Sequence, residues 1–319
     1  MWIGCSQTVA QVLEDRVDKS WHSATCVVAL MAGLQCGIAH SASDPQKPID
    51  TVTIQGRKEI KRQIDGFVSG TLVTYMDDSL MRFDVPICPM VAGLPADQGE
   101  YILARLSQVA RDVHAPLAVA GKHCQPNLLV AVTDSPDSVA EHWANHDSTR
   151  LNTCNGAGYV QDFIKSRRPV RVYYNGKFAP TDGARAADIS ALSLMGLSLD
   201  FGYGPCKYGG RIAIDSRIRY GAVQQLASVI ILVDGKRAAS LNIGQLADYI
   251  TMVGLAQIRA GANTGTAPSI LSVFDSTDPR PQGLTSWDES FLRGLYTTNQ
   301  SSVIQASLIK ASMFQQLTR

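Results

Sequence analysis

Charge is scarce in this chain. Charged residues are 18% of the 319, and the formal net charge is +1. So neutral a chain has no global field to draw in nucleic acid or an anionic membrane. No basic cluster is interleaved with aromatics, which sets nucleic-acid binding aside. Low-complexity tracts and fixed-period repeats are missing, which excludes solenoids and arrays. There is no Gly-x-Ser-x-Gly elbow, no phosphate loop and no dinucleotide fingerprint. No Cys-x-x-Cys pair exists, which argues against zinc held by cysteines. No histidine follows His146.

Hydrophobic residues, by contrast, are 45% of the chain. That is enough for a sizeable core, in one large domain or two small ones. Residues 26–39 (CVVALMAGLQCGIA) form an uncharged apolar run. Spanning a bilayer takes about 20 apolar residues, so the run is too short and fits the apolar region of a signal peptide. Small residues follow at Ala39, Ser41, Ala42 and Ser43, before Asp44-Pro45. The expected organisation is a signal peptide with an atypical, partly acidic leader over 1–43, a linker or surface helix over 44–66, and a single α+β domain over 67–319. A loop-rich insertion is expected near 180–226. The implied localisation is periplasmic or secreted, with membrane contact only through the export signal.

Export would remove Cys5, Cys26 and Cys36 and leave Cys88, Cys124, Cys154 and Cys206. An even number in an oxidising compartment favours disulfides. Four cysteines permit three pairings. Cys88 with Cys124 is preferred, because the segment between them reads as one helix returning to a strand. Cys154 with Cys206 then follows by elimination.

Along the chain, residues 67–75 (FVSGTLVTY) read as a strand. Residues 99–113 read as an amphipathic helix with Ile102, Leu106, Val109 and Val113 on one face. Residues 127–133 (NLLVAVT) suit a strand buried on both faces, and 136–146 a short helix. Val170, Val172 and Tyr174 alternate before Asn175-Gly176, a type I′ hairpin signal. Residues 228–233 (SVIILV) read as a second buried strand. Asn242 can cap a helix carrying Ile243, Leu246, Ile250 and Val253, with Gly254 as its stop. Thr285 and Asp288 form a capping box, and a last helix covers about 303–317. Without regular βαβ alternation, this mixture predicts an α+β fold: a mixed sheet with packed helices.

Candidate chemistry is sparse. His142 and His146, four apart, share one helical face and could reach one metal ion. Glu141 precedes the first histidine, whereas in a zincin peptidase the glutamate follows it and acts as base. A polar surface helix is the plain alternative. His114 and His123 read as solvated loop residues, and Asp77-Asp78 as a turn. If their segment is a strand, Arg217 and Arg219 share a face and could bind a carboxylate; pairing with the protein's own acids is the default. Residues 202–210 (GYGPCKYGG) form a loop that could cradle an anion.

Several segments together carry a resemblance. They are SVIILVDG, then Gln245-Leu246-Ala247-Asp248-Tyr249, Ser269-Ile270-Leu271-Ser272-Val273-Phe274-Asp275, Gly283-Leu284-Thr285-x-x-Asp288 and Leu292-Arg293-Gly294-Leu295-Tyr296. Upstream, Cys124-x-Pro126-Asn127-Leu128-Leu129-Val130 adds to them. Over roughly residues 85–300 the chain resembles uncharacterised exported bacterial proteins with a zincin-like core. In zincins the helix after the strand carries the metal. Here the matching positions hold Gln245 and Tyr249, with Asp248 between, so no catalytic or metal-binding residue carries over. The resemblance implies a non-catalytic binding or structural protein on a degenerate zincin-like scaffold, with no cofactor. A periplasmic hydrolase of unknown substrate is the alternative. The sequence names no partner.

Overall fold

The structure is a computed structural model that describes residues 49–73, 80–119, 123–146, 151, 157–180, 222–275, 280–300 and 304–319. Residues 1–43, Cys154, Cys206, Arg217, Arg219, Asp77-Asp78 and the 202–210 loop lie outside the described residues. Within them the order is α1 (Ile49–Thr71), β1 (Pro89–Ala92), α2 (Ala96–Asp112), β2 (Leu128–Thr133), α3 (Pro136–His146) and α4 (Ala157–Lys165). Then come β3 (Val170–Pro180), β4 (Ala222–Asp234), α5 (Gly235–Ala238), α6 (Ile243–Leu255), a 3-10 turn (Ile270–Ser272), α7 (Ser286–Thr297) and α8 (Gln305–Leu317).

The strands form one mixed sheet in the order β1-β2-β4-β3. β1, β2 and β4 run parallel, and β3 pairs antiparallel with β4. The α+β expectation holds. Alternation along the strands divides the core. Val229, Ile231 and Val233 of β4 face the larger core with Leu128, Val130 and Tyr174, where α1, α2, α6, α7 and α8 also bury their apolar stripes. Ile230, Leu232 and Tyr173 face the other way, toward Ala140 of α3 and Phe163 of α4. The central strands are therefore apolar on both faces, as a sheet covered on both sides requires.

Three expectations are corrected. The strand expected over 67–75 is not formed over its first part: residues 67–71 are the last turn of α1, which runs unbroken from Ile49 to Thr71, and residues 74–75 lie outside the described residues. Ile60, Ile64, Phe67, Val68, Thr71 and Leu72 recur at helical spacing, and the last five are buried. Phe67 meets the rings of Trp287 and Phe291 edge-on, at 6.1 and 5.9 Å. That packing outweighs the strand preference of β-branched residues. It also places the 66/67 boundary inside a helix of the domain. Second, Asn175-Gly176 is not a turn. β3 continues to Pro180, and a register shift at Asn175/Gly176 marks a bulge. Third, Gly254 does not stop α6, which ends one residue later. Its lack of a side chain admits Leu128 and Ile231, whose methyls would lie 3.2 and 3.4 Å from an added Cβ. The expected caps are present: Asn242 with Gln245, and Thr285 with Asp288, each close a capping box. No described helix is long and apolar enough to cross a membrane.

Candidate functional site

β3 is the outer strand of the sheet. Pro169 O accepts from Asp234 N at 2.8 Å, and Val170 lies opposite Val233. In an antiparallel pair, residues alternate between bonding their partner and pointing their backbone groups away. The peptide groups of Val170 and Val172 therefore face outward. Among the described residues, no strand pairs with them there.

A cleft of about 340 Å³ opens beside this edge. Val170, Val172 and Tyr174 of β3 form one wall, with Tyr249 and Val253 of α6 and Phe274 beneath. Tyr159, Asp162, Arg168, Arg259 and Asp275 stand around the rim. Tyr174 donates its hydroxyl to Val253 O at 2.9 Å and accepts from Ile258 N at 3.1 Å. It thereby pins the end of α6 to the edge strand, and burial raises its pKa well above the ordinary value. The Tyr249 ring lies edge-on to Phe274, with centroids 5.0 Å apart. Burial pushes its phenol up to about 12; Arg168 opposes the shift and Asp275 adds to it. At neutral pH the phenol is thus a protonated donor.

The other two positions of interest on α6 serve the fold. Gln245 closes the capping box, and its Nε2 donates to Pro281 O at 2.8 Å. Asp248 accepts from Arg105 Nε at 2.5 Å, Arg105 Nη2 at 3.3 Å and Leu284 N at 2.8 Å. The hydrogen bond to Asp248 is the main cause that raises the Arg105 pKa. An added Cβ at Gly283 would lie 2.5 Å from Asp248 Oδ2, so only glycine fits there. Of the three residues, Tyr249 alone lines the cleft. A second buried carboxyl, Asp288, accepts from Ser269 Oγ at 2.5 Å, Ile270 N at 2.9 Å and Thr285 N at 3.0 Å. Burial raises its pKa against the pull of these donors. It fastens the 3-10 turn, and with it Phe274, to α7.

His142 and His146 do come together. Their rings stack with centroids 4.6 Å apart on the exposed face of α3. The His146 Nδ1 lies 3.2 Å from His142 O. Among the described residues, no group of three His, Cys, Asp or Glu gathers around a common point. Cys88 and Cys124 are bonded, with Cα atoms 6.0 Å apart. His114 takes a positive φ of 65° just past α2, and Ala115 N closes the turn onto Ala110 O. That is a helix-ending role. His123 is exposed.

The sequence singles out Tyr249, Val253, the strand segment of Val170, Val172 and Tyr174 and the segment of Leu271, Phe274 and Asp275, but not Tyr159, Arg168, Arg259 or Gly261, nor that these meet in one cleft. Its members come from separate segments whose proximity has no local signature. Compared with family models, curated proteins and solved structures, the chain matches none.

Proposed function

We propose that this chain is an exported, non-catalytic binding protein on a degenerate zincin-like scaffold, and that its cleft takes an extended peptide segment. The observation behind this reading is the outward row of peptide groups on β3 beside an aromatic cleft. An unpaired edge offers backbone hydrogen bonds to an added strand, while neighbouring pockets take alternate side chains. Gln245 and Asp248 already spend their polar atoms inside the fold, which leaves the α6 positions without a free metal ligand or base. A disulfide between Cys88 and Cys124 suits an oxidising compartment.

Val172→Pro is the direct test. Its N–H points away from β4, so proline removes no ladder bond within the sheet. The probe is a mixture of fluorescent acetylated tetrapeptides. We expect retention by the native protein and at least roughly tenfold weaker retention by the variant, with the fold preserved by circular dichroism. Equal retention would overturn strand pairing. Turnover of peptide, ester or glycoside substrates that Tyr249→Phe abolishes would overturn the non-catalytic assignment.

A further inference from the structure

Arg168 lies in the short connection between α4 and β3, at the mouth of the cleft. Its guanidinium rests on the backbone of Gly261. A Cβ added there would stand 2.7 Å from Nη2, and Gly261 has φ +74°. The left-handed backbone there favours glycine. Among the described residues, the Arg168 side chain has no carboxylate partner. Arg168, Tyr249 and Asp275 line the same cleft. One cleft therefore brings together a guanidinium fork, a protonated phenol donor and an aromatic floor.

We infer that Arg168, laid on Gly261 beside Tyr249, forms an anion subsite that anchors a carboxylate of the bound peptide. This rests on the peptide-binding reading above and names the group that sets register along β3. A guanidinium matches a carboxylate with two parallel hydrogen bonds. The Tyr249 hydroxyl supplies a further donor from the floor. Asp275 also lines the cleft and would repel the same anion. The carboxylate is either the peptide's C-terminal group or an Asp or Glu side chain.

The test uses three tetrapeptide mixtures on the full mature chain: free C-termini without acidic residues, C-terminal amides without acidic residues, and C-terminal amides ending in Asp or Glu. The inference expects one or both carboxylate mixtures to bind at least roughly tenfold tighter than the neutral amides. Their ranking identifies the source of the anion. Arg168→Ala should abolish the preference, and Arg168→Lys should keep part of it, since the charge remains without the fork. Thermal melts check that both variants fold. If all three mixtures bind equally and Val172→Pro weakens them all, the strand reading stands and the anion subsite falls. A preference that survives Arg168→Ala also overturns the subsite. If no mixture binds, both readings fall.

Discussion

Arg105 and Asp248 meet where α2 packs on α6, with 26% and 8% of their side chains exposed. The carboxylate is held by that guanidinium and by Leu284 N. Removing one partner of such a pair leaves a charge in a site built for two, which costs more than the pair itself contributes. Arg105→Leu should therefore destabilise the protein by about 2–3 kcal/mol, the lower side of the usual range because the arginine is partly solvated. Urea unfolding at pH 7 measures it. A change under about 0.5 kcal/mol, ordinary for a surface substitution, would mean that Asp248 is free for another role. At the same scale, Asp248 shows why a polar residue on an amphipathic helix is ambiguous. Its partner is 143 residues away in the chain.

At the scale of elements, the register of β3 against β4 shifts at Asn175/Gly176, and the extra residue, Ala227, lies in β4. Asn175 Nδ2 bonds Ser228 Oγ at 2.8 Å across the pair. Gly176 lies against Met81, whose Sδ would be 2.8 Å from an added Cβ. Met81 is buried, so it has little room to retreat. Gly176→Ala should cost about 1–3 kcal/mol through overpacking. The double variant with Met81→Ala should recover part of that loss, a coupling that a double-mutant cycle reads directly. Additive effects would show that the bulge backbone, rather than the methionine, excludes the side chain.

For the whole molecule, the disulfide is the one covalent tie among the described residues. Cys88 immediately precedes β1 and Cys124 lies shortly before β2, so the bond closes the crossover that carries α2. Asn127 supports the same corner: its Oδ1 accepts from Cys88 N at 2.8 Å, and its Nδ2 donates to Pro86 O at 3.1 Å. With a sequence separation of 36 between the cysteines, chain entropy predicts a stabilisation of roughly 3–4 kcal/mol. Replacing both cysteines with serine should lower the guanidinium midpoint accordingly, and reduction of the native chain should match it. An unchanged midpoint would show that β1, α2 and β2 dock without the tie.

The sequence determined what depends on neighbours within one helical turn or one strand period. The caps at Asn242 and Thr285, the apolar stripe of α2 and the double-sided strands β2 and β4 are all local patterns, and all stand in the structure. The Cys88–Cys124 tie was legible as well, because a helix returning to a parallel strand brings its ends together. Only tertiary packing decided the rest. Residues 67–71 are helical because Phe67 has Trp287 and Phe291 to pack against. Asn175-Gly176 stays in strand because β4 continues alongside it and Met81 fills the space at the glycine. The cleft is the extreme case. Tyr159, Arg168, Tyr174, Tyr249, Gly261 and Phe274 adjoin only once β3 has become the sheet edge and α6 has docked beneath it. Their meeting depends on long-range pairing, which leaves no periodicity in the sequence to read.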